Sequence, residues 1–353
     1  MAEAKKVRIG FVGVGGMGQA AHLRNYVMVP ECEVVAIAEV KQDLGRNVAA
    51  RWGVKKIYAS HAEMLAREKL DGIVASQPFT RHGTLVPELL KAGVPVFTEK
   101  PLAGSIEMGA KIVKAVQAAK TWMMIGYHKR SDPATMLVKA EIERLKKTRE
   151  LGKLNYIRIL MPAGDWQANG FNQNVSGHDP NPTFTGDPPA ADMDKATNDV
   201  YIGFVNYYIH QVNLMRYLLG ESWAVNYAAK SGLLLAGESA GGVTCSIEMS
   251  PYATTIDWQE HAFVCFEHGF LKLELPAPLA FTRPGRVEMF RDPGDGAQPK
   301  TEIPQLPWVH AMWQQARNFV AAIQGKGPII CTAEDALEDI KLAREYIRIW
   351  KGK

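Results

Sequence analysis

Six residues near the N-terminus have the spacing of a phosphate cradle. Gly13-Val14-Gly15-Gly16-Met17-Gly18 matches G-x-G-x-x-G. In that pattern the first glycine permits a tight turn and the second lets backbone approach a pyrophosphate. The third lets a helix pack close to the preceding strand. Amides at the helix N-terminus would then face the phosphates, aided by the helix dipole. Glycine-rich turns are common, so the motif draws its weight from position: it follows the apolar run Val7–Val12 and opens a helical stretch over 16–28. Glu39 ends the next apolar run, 21 residues after Gly18. A carboxylate there accepts hydrogen bonds from the adenosine ribose and repels a 2′-phosphate, so NAD is expected over NADP. Lys41, two residues on, would soften that repulsion.

A second chemistry-bearing position is Lys100, in Phe97-Thr98-Glu99-Lys100-Pro101. A lysine at the carboxyl end of a strand points into the crevice where open α/β sheets bind ligands. It can donate to a hydroxyl oxygen. Nearby positive charge or desolvation would lower its pKa and let it share in proton transfer. Taken alone, a strand-end lysine is most often solvated surface.

The elements that must hold these groups alternate. Apolar runs at 7–12, 34–38, 56–59, 72–75, 94–97 and 122–125 are separated by stretches of helical period, and Ser60-His61-Ala62-Glu63 is a capping box. Strands without clean polar alternation, joined by helices, predict a doubly wound parallel sheet of Rossmann type over residues 1–127. Residues 128–353 are expected to form a second, α+β domain with a large, mostly antiparallel open sheet, to which the family resemblance given below assigns substrate binding and oligomerisation. Its closing helices could pack back on the first domain. A helix is expected over 131–147, then a long polar segment over 163–198, and a helix over 200–219 ended by Gly220. Strands are expected at 244–249, 253–258, 262–266 and 270–275, and closing helices at 309–323 and 333–350, the last capped by Thr332.

In combination these features are more specific. The glycine motif, the Ala36-Ile37-Ala38-Glu39 strand, the Gln77-Pro78…His82 segment and Glu99-Lys100-Pro101 together resemble the glucose–fructose oxidoreductase/inositol dehydrogenase family (Gfo/Idh/MocA). Tyr127-His128-Lys129-Arg130 before Asp132-Pro133 is similar to that family's crossing segment between domains. Tyr208-Ile209-His210 through Gly220 is similar to its second-domain helix bearing the catalytic histidine. The resemblance implies that Lys100 and His210 flank a substrate carbinol, that Gln77, Pro78, His82, Glu99 and Lys100 border the cofactor, and that the C-terminal sheet supports a homodimer or homotetramer. The family often has Asp four residues before the histidine, where this chain has Asn206. On a helix that spacing shares a face, but Asn cannot hold negative charge beside an imidazolium. His210 is therefore expected to be closer to neutral.

On the substrate side, Asp165, Trp166, Asn169, Asn172, His178 and Asp179 lie in the polar segment. They offer either a sugar-binding face or a solvated loop packed on a neighbouring subunit. Lys129 and Arg130 are either substrate or cofactor contacts or an interdomain charge pair, with Lys129 the stronger candidate. One of Tyr207 and Tyr208 is expected to face the pocket. The reading is an NAD-dependent oxidoreductase acting on a sugar or polyol alcohol. A redox-neutral enzyme with tightly held NAD and a non-catalytic sugar sensor are its rivals.

Composition sets the outer bounds. The chain has 353 residues, 47% hydrophobic and 22% charged, with 41 Lys plus Arg against 37 Asp plus Glu. That is ordinary globular composition, and a net charge of +4 makes no general case for nucleic-acid binding. Cys32, Cys245, Cys265 and Cys331 are far apart, and neither they nor His61 and His128 have metal-ligand spacing, so no metal is expected. No run of ~18 apolar residues suggests a membrane span, and the first ten residues lack a signal-peptide core. A cytoplasmic protein is expected.

Overall fold

The computed structural model describes residues 5–294 and 296–352. Val7–Val12 (β1), Cys32–Ala38 (β2), Lys56–Tyr58 (β3), Gly72–Ala75 (β4), Val96–Glu99 (β5) and Met123–Gly126 (β6) form a parallel sheet in the order β3-β2-β1-β4-β5-β6. Strands covered on both faces need apolar residues at successive positions, and every residue of β4 and β6 is buried. The strand order reverses between β1 and β4, which makes the carboxyl end of β1 the switch point where such sheets bind ligands.

Helices connect these strands: Arg24–Tyr26 (α1), Gln42–Trp52 (α2), His61–Arg67 (α3), His82–Leu90 (α4) and Ile106–Ala119 (α5). α1 continues a π-wound stretch, Gly18–Leu23, so the helix expected over 16–28 is wider in its first turns and shorter at its end. Such winding often accompanies ligand sites. Ser60 caps α3 as its sequence signature predicts, its hydroxyl accepting from the Glu63 amide at 3.1 Å.

The chain divides into two compact units, each discontinuous in sequence. The first contains the chain up to Tyr127 together with Asn169–Ile202 and Met312–Ile340. The second contains His128–Ala168, Gly203–Ala311 and the chain from Lys341 onward. The sequence reading drew a single break at 127/128. Within the first unit the core joins one face of β1, Val7, Ile9 and Phe11, to an aromatic cluster around Phe319. That ring meets Phe97, Trp122 and Tyr26 edge-on at 5.7, 5.5 and 6.3 Å between centroids.

The second unit begins with a 3₁₀ turn, His128–Ser131, and continues through Pro133–Thr148 (α6) and Leu154–Ala163 (β7). Lys195–Tyr207 (α7), which belongs to the first unit up to Ile202, and Ile209–Leu219 (α8) follow the polar segment. The remaining strands are Trp223–Ala228 (β8), Leu234–Ser239 (β9), Thr244–Ala253 (β10), His261–Phe266 (β11), Gly269–Glu274 (β12), Arg286–Arg291 (β13) and Lys300–Glu302 (β14). The sheet order is β14-β13-β12-β11-β7-β10-β9-β8. All neighbours are antiparallel except β7 and β10, whose parallel pairing a long helical crossover makes possible. α6 and α8 pack on this sheet. The chain closes with Ala311–Ile323 (α9) and Ala333–Lys351 (α10), where Thr332 Oγ1 accepts from the Asp335 amide at 3.2 Å.

Two expected elements differ. The helix over 200–219 is two helices interrupted at Tyr208, whose hydroxyl is tied to Ser250 Oγ. No strand runs over 253–258. After Ala253 the chain turns, Thr254 Oγ1 donating to the Asp257 carbonyl at 2.8 Å, and Ile256 stands 91% exposed. The alternation Ala-Thr-Thr-Ile-Asp-Trp imitates a strand that has no neighbour to pair with. No helix among the described residues is long and apolar enough to cross a membrane.

Candidate functional site

In the first unit, the turn after β1 realises each role of the glycine motif. Gly13 has φ +87°, and a Cβ there would lie 2.1 Å from Gln77 Nε2 and 2.7 Å from the Ser76 carbonyl oxygen. A Cβ on Gly18 would lie 2.7 Å from the Gly13 carbonyl oxygen, so the helix can approach the strand only without a side chain. At Gly15 nothing comes within 4 Å. That open position is where backbone can meet a diphosphate, so these residues fit a dinucleotide. The buried Glu39 carboxylate braces the turn, accepting from the Val14 amide at 2.8 Å and from the Lys41 amide at 3.0 Å. A carboxylate oxygen has lone pairs left for ribose hydroxyls.

A cleft of about 470 Å³ opens over these groups, within the usual range for small-molecule sites. Its lining includes Gly13, Gly15, Glu39, Gln77 and Pro78, five of the residues the sequence nominated. Gly16 lies at the same turn, with Phe171 3.9 Å from its Cβ position, and Met17 caps the π-wound helix. The cleft's other wall comes from the polar segment, through Asn181, Pro182 and Phe184.

Glu99 and Lys100 leave β5 at the carboxyl edge of the same sheet, and the Lys100–Pro101 peptide is cis. Burial raises the Glu99 pKa, but the hydrogen bond and charge of His22 and the charge of Lys100 hold it below the usual carboxylate range. His22, itself 2% exposed, places Nε2 2.6 Å from Glu99 Oε1. His82 is completely buried, its ring nitrogens 3.1 Å from the Leu102 carbonyl and 3.2 Å from that of Gln77. Burial lowers its pKa, and it braces the backbone behind Gln77 and Leu102. His22 escaped the sequence reading because its partner lies 77 positions away.

Of the other nominated residues, Asn169, Asn172, His178 and Asp179 belong to the first unit and the rest to the second. His210 is the second residue of α8, and its ring meets that of His128 edge-on at 4.7 Å. Asn206 lies near the end of α7, so the i, i+4 argument for a shared helix face does not carry across the break at Tyr208. Tyr208 packs, stacked on Phe204 and bonded to Ser250. Tyr207 is half-buried, and burial raises its pKa. Lys129 is buried in an ion pair with Glu260, 2% exposed, and lies 5.6 Å from the centre of the Trp258 ring. Gln211, adjacent to His210, donates to the other Glu260 oxygen at 2.7 Å. Both Lys129 and Glu260 belong to this unit, so the pair is not an interdomain one. Arg130 bonds Asn213 Oδ1 at 2.7 Å. Asp165 accepts from the amides of Gln167 and Ala168 at 3.0 and 3.1 Å, fixing the turn that carries Trp166. Glu260 and Gln211 lie far from Lys129 in sequence, and no local pattern marks them.

Comparisons with known proteins agree with this architecture. Residues 7–127 match the family model GFO_IDH_MocA, described as an oxidoreductase family with an NAD-binding Rossmann fold. Inositol 2-dehydrogenase of Rubrobacter xylanophilus is 31% identical over 142 residues, 40% of each chain. Myo-inositol 2-dehydrogenase of Thermotoga maritima is 24% identical over 67% of this chain and 61% of its own length. The chain thus spans only about two-fifths to three-fifths of these relatives. Inositol 2-dehydrogenase of Rhizobium meliloti is 22% identical over 97% of this chain and 96% of its own. A levoglucosan dehydrogenase solved with NADH and levoglucosan shares the fold, with a TM-score of 0.76, 18% identity and coverage of 99% and 98%.

Proposed function

We propose that the chain is an NAD-dependent oxidoreductase of the Gfo/Idh/MocA family, acting on a secondary alcohol of a sugar or polyol. The observation that carries this reading is the open cradle at Gly15 braced by Glu39, on the same sheet edge from which Glu99 and Lys100 emerge. Inositol dehydrogenases among the relatives, and the levoglucosan complex among the folds, support the substrate class.

In this reading NAD supplies the two-electron acceptor for the hydride leaving the carbinol carbon. Gly13 to Gly18 hold the diphosphate, and the Glu39 carboxylate takes the adenosine ribose and disfavours a 2′-phosphate. Pro78, Glu99 and Lys100 border the nicotinamide. Lys100, as the neutral amine, takes the hydroxyl proton and as the resulting ammonium donates to the substrate oxygen, and His210 relays the proton onward. Asn206 orients and does not supply charge. Residues 1–127 carry the cofactor, with Asn181 to Phe184 walling its cleft, and the remainder of 128–353 contributes the substrate contacts, Lys129, Asp165, Trp166 and Tyr207 among them. The enzyme works in the cytoplasm as a homo-oligomer paired through the C-terminal sheet.

The test is an absorbance screen for NADH with monosaccharides, polyols and glycosides, run beside Lys100→Met. Wild type should turn over at least one of them. The variant should lose about 10²–10⁴ in kcat/KM while its NAD affinity stays within a few-fold of wild type. A Lys100→Met protein as active as wild type would remove the proton-transfer role from Lys100, and a wild type that binds NAD but turns over none of the compounds would favour a sensor. The second reading, a redox-neutral enzyme retaining NAD, draws on the polar segment that walls the cleft. It predicts substrate consumption without NADH accumulating.

A further inference from the structure

Residues 169–187 wall one side of the cleft through Asn181, Pro182 and Phe184 and are fastened to the elements around it at three places. At the glycine turn, Gln19 and Val175 exchange two hydrogen bonds of 3.1 and 2.9 Å, and Asn174 Nδ2 donates to the Gly16 carbonyl at 3.1 Å. At the N-terminus of α2, the Asp179 carboxylate accepts from the Asp43 and Leu44 amides at 3.1 and 2.9 Å. At the start of α4, the Asp187 carboxylate accepts from the Gly83 amide at 2.7 Å and from Thr84 Oγ1 at 2.8 Å. A solvated loop would not carry two carboxylates that each satisfy orphan helix donors.

Between the second and third anchors the segment presents Asn181 and Phe184 to the cleft. Asn181 Oδ1 accepts from Lys41 Nζ at 2.5 Å, two residues beyond Glu39. Phe184 lies under the Arg81 guanidinium, 3.6 Å from its ring centre. A flat aromatic–guanidinium pair beside a carboxylate suited to a ribose is the chemistry that recognises a purine nucleoside: a face to stack on and an edge of donors.

We propose that residues 169–187 are a cofactor-binding strap, with Phe184 and Arg81 stacking the adenine and Asn181 fixing Lys41 beside the adenosine ribose. The dinucleotide then leaves only when the Asp179 and Asp187 anchors release. This rests on the NAD-binding reading and extends it to how adenosine is recognised and how long the cofactor stays.

The experiment measures affinities of full-length protein for NAD, ADP-ribose and nicotinamide mononucleotide by calorimetry, and NADH dissociation by stopped-flow fluorescence. Phe184→Ala should weaken ADP-ribose about tenfold and leave nicotinamide mononucleotide unchanged. Asp179→Ala/Asp187→Ala should speed NADH dissociation by at least about tenfold. Asn181→Ala, which alters an exposed side chain only, serves as a second probe of ADP-ribose affinity if the double variant does not fold. Wild-type ADP-ribose affinity in both Phe184→Ala and Asn181→Ala, or unchanged NADH release, would overturn the strap while leaving the oxidoreductase reading intact. Wild-type protein that binds neither NAD nor ADP-ribose would overturn both.

Discussion

Gly13 and Gly15 sit two residues apart in one turn, and a methyl group added to each meets different surroundings. At Gly13 the backbone has φ +87° and the new carbon would strike Gln77 and the Ser76 carbonyl. At Gly15 it would stand in open space. Gly15→Ala should therefore fold with a thermal midpoint near that of wild type, since removing a glycine also reduces the unfolded chain's entropy. Its NAD affinity should fall at least about tenfold, because the methyl occupies the cradle. Gly13→Ala should lose about 1–3 kcal/mol of stability from the strained backbone and the clash. Thermal unfolding and calorimetric titration of the two variants separate the effects. NAD binding by Gly15→Ala equal to wild type would show that the diphosphate does not lie at this turn. These glycines and Glu39 were legible in the sequence because their work is local: a turn, a helix start and a strand end at fixed spacing. His22 against Glu99, and Lys129 against Glu260, were not. Each pair is made by a fold that brings distant positions together, and buried pairs leave no periodic trace.

Element by element, the strands of the first unit were readable because a doubly covered parallel strand must be apolar throughout. The 253–258 stretch was misread because alternation records what could face two ways, not whether a partner strand exists. The break at Tyr208 was invisible, since Asn206 to His210 keeps helical spacing in sequence. α6 shows a further device that the sequence only half disclosed. Asp132 caps it before Pro133, accepting from the Ala134 amide at 2.8 Å, and also accepts from the Gly285 amide at 3.0 Å. Burial pushes its carboxyl from 3.8 up to about 6, against the pull of those amides and of Lys129. A raised carboxyl favours the fold most when protonated. Its contribution is complete below about pH 4 and is lost as pH rises through about 6, a swing of about 3 kcal/mol. Asp132→Asn keeps one oxygen to accept from Ala134 and does not titrate. The stability of wild type relative to Asp132→Asn should therefore fall by up to about 3 kcal/mol between pH 4 and pH 7. Urea unfolding at the two pH values measures this, and a constant difference would mean that Asp132 titrates in the fold as it does in the unfolded chain.

At the scale of the whole molecule, the proposed pairing of copies through the second sheet makes a prediction about that sheet's less buried face. Burial along β11 alternates strictly: Ala262, Val264 and Phe266 are buried, while His261, Phe263 and Cys265 are half-covered. On that half-covered face Phe263 packs on Phe270 at 4.8 Å, and Phe270 stacks on Phe290 at 5.5 Å, forming an aromatic row across β11, β12 and β13. Arg158, Lys272 and Glu274 flank it on the same sheet. A row of rings bordered by charge is the make-up of an interface core with a polar rim. Pairing through this face predicts a dimer or tetramer for wild type in sedimentation equilibrium. Phe270→Lys, which places a charge at the centre of the row, should shift it toward monomer. The substitution also removes ring–ring contacts within the sheet, worth about 1 kcal/mol, so the variant's thermal midpoint is measured alongside. NAD affinity should not move, because the dinucleotide cleft is built wholly from residues of the first unit. A Phe270→Lys protein that keeps the wild-type mass would place the contact between copies on some other surface.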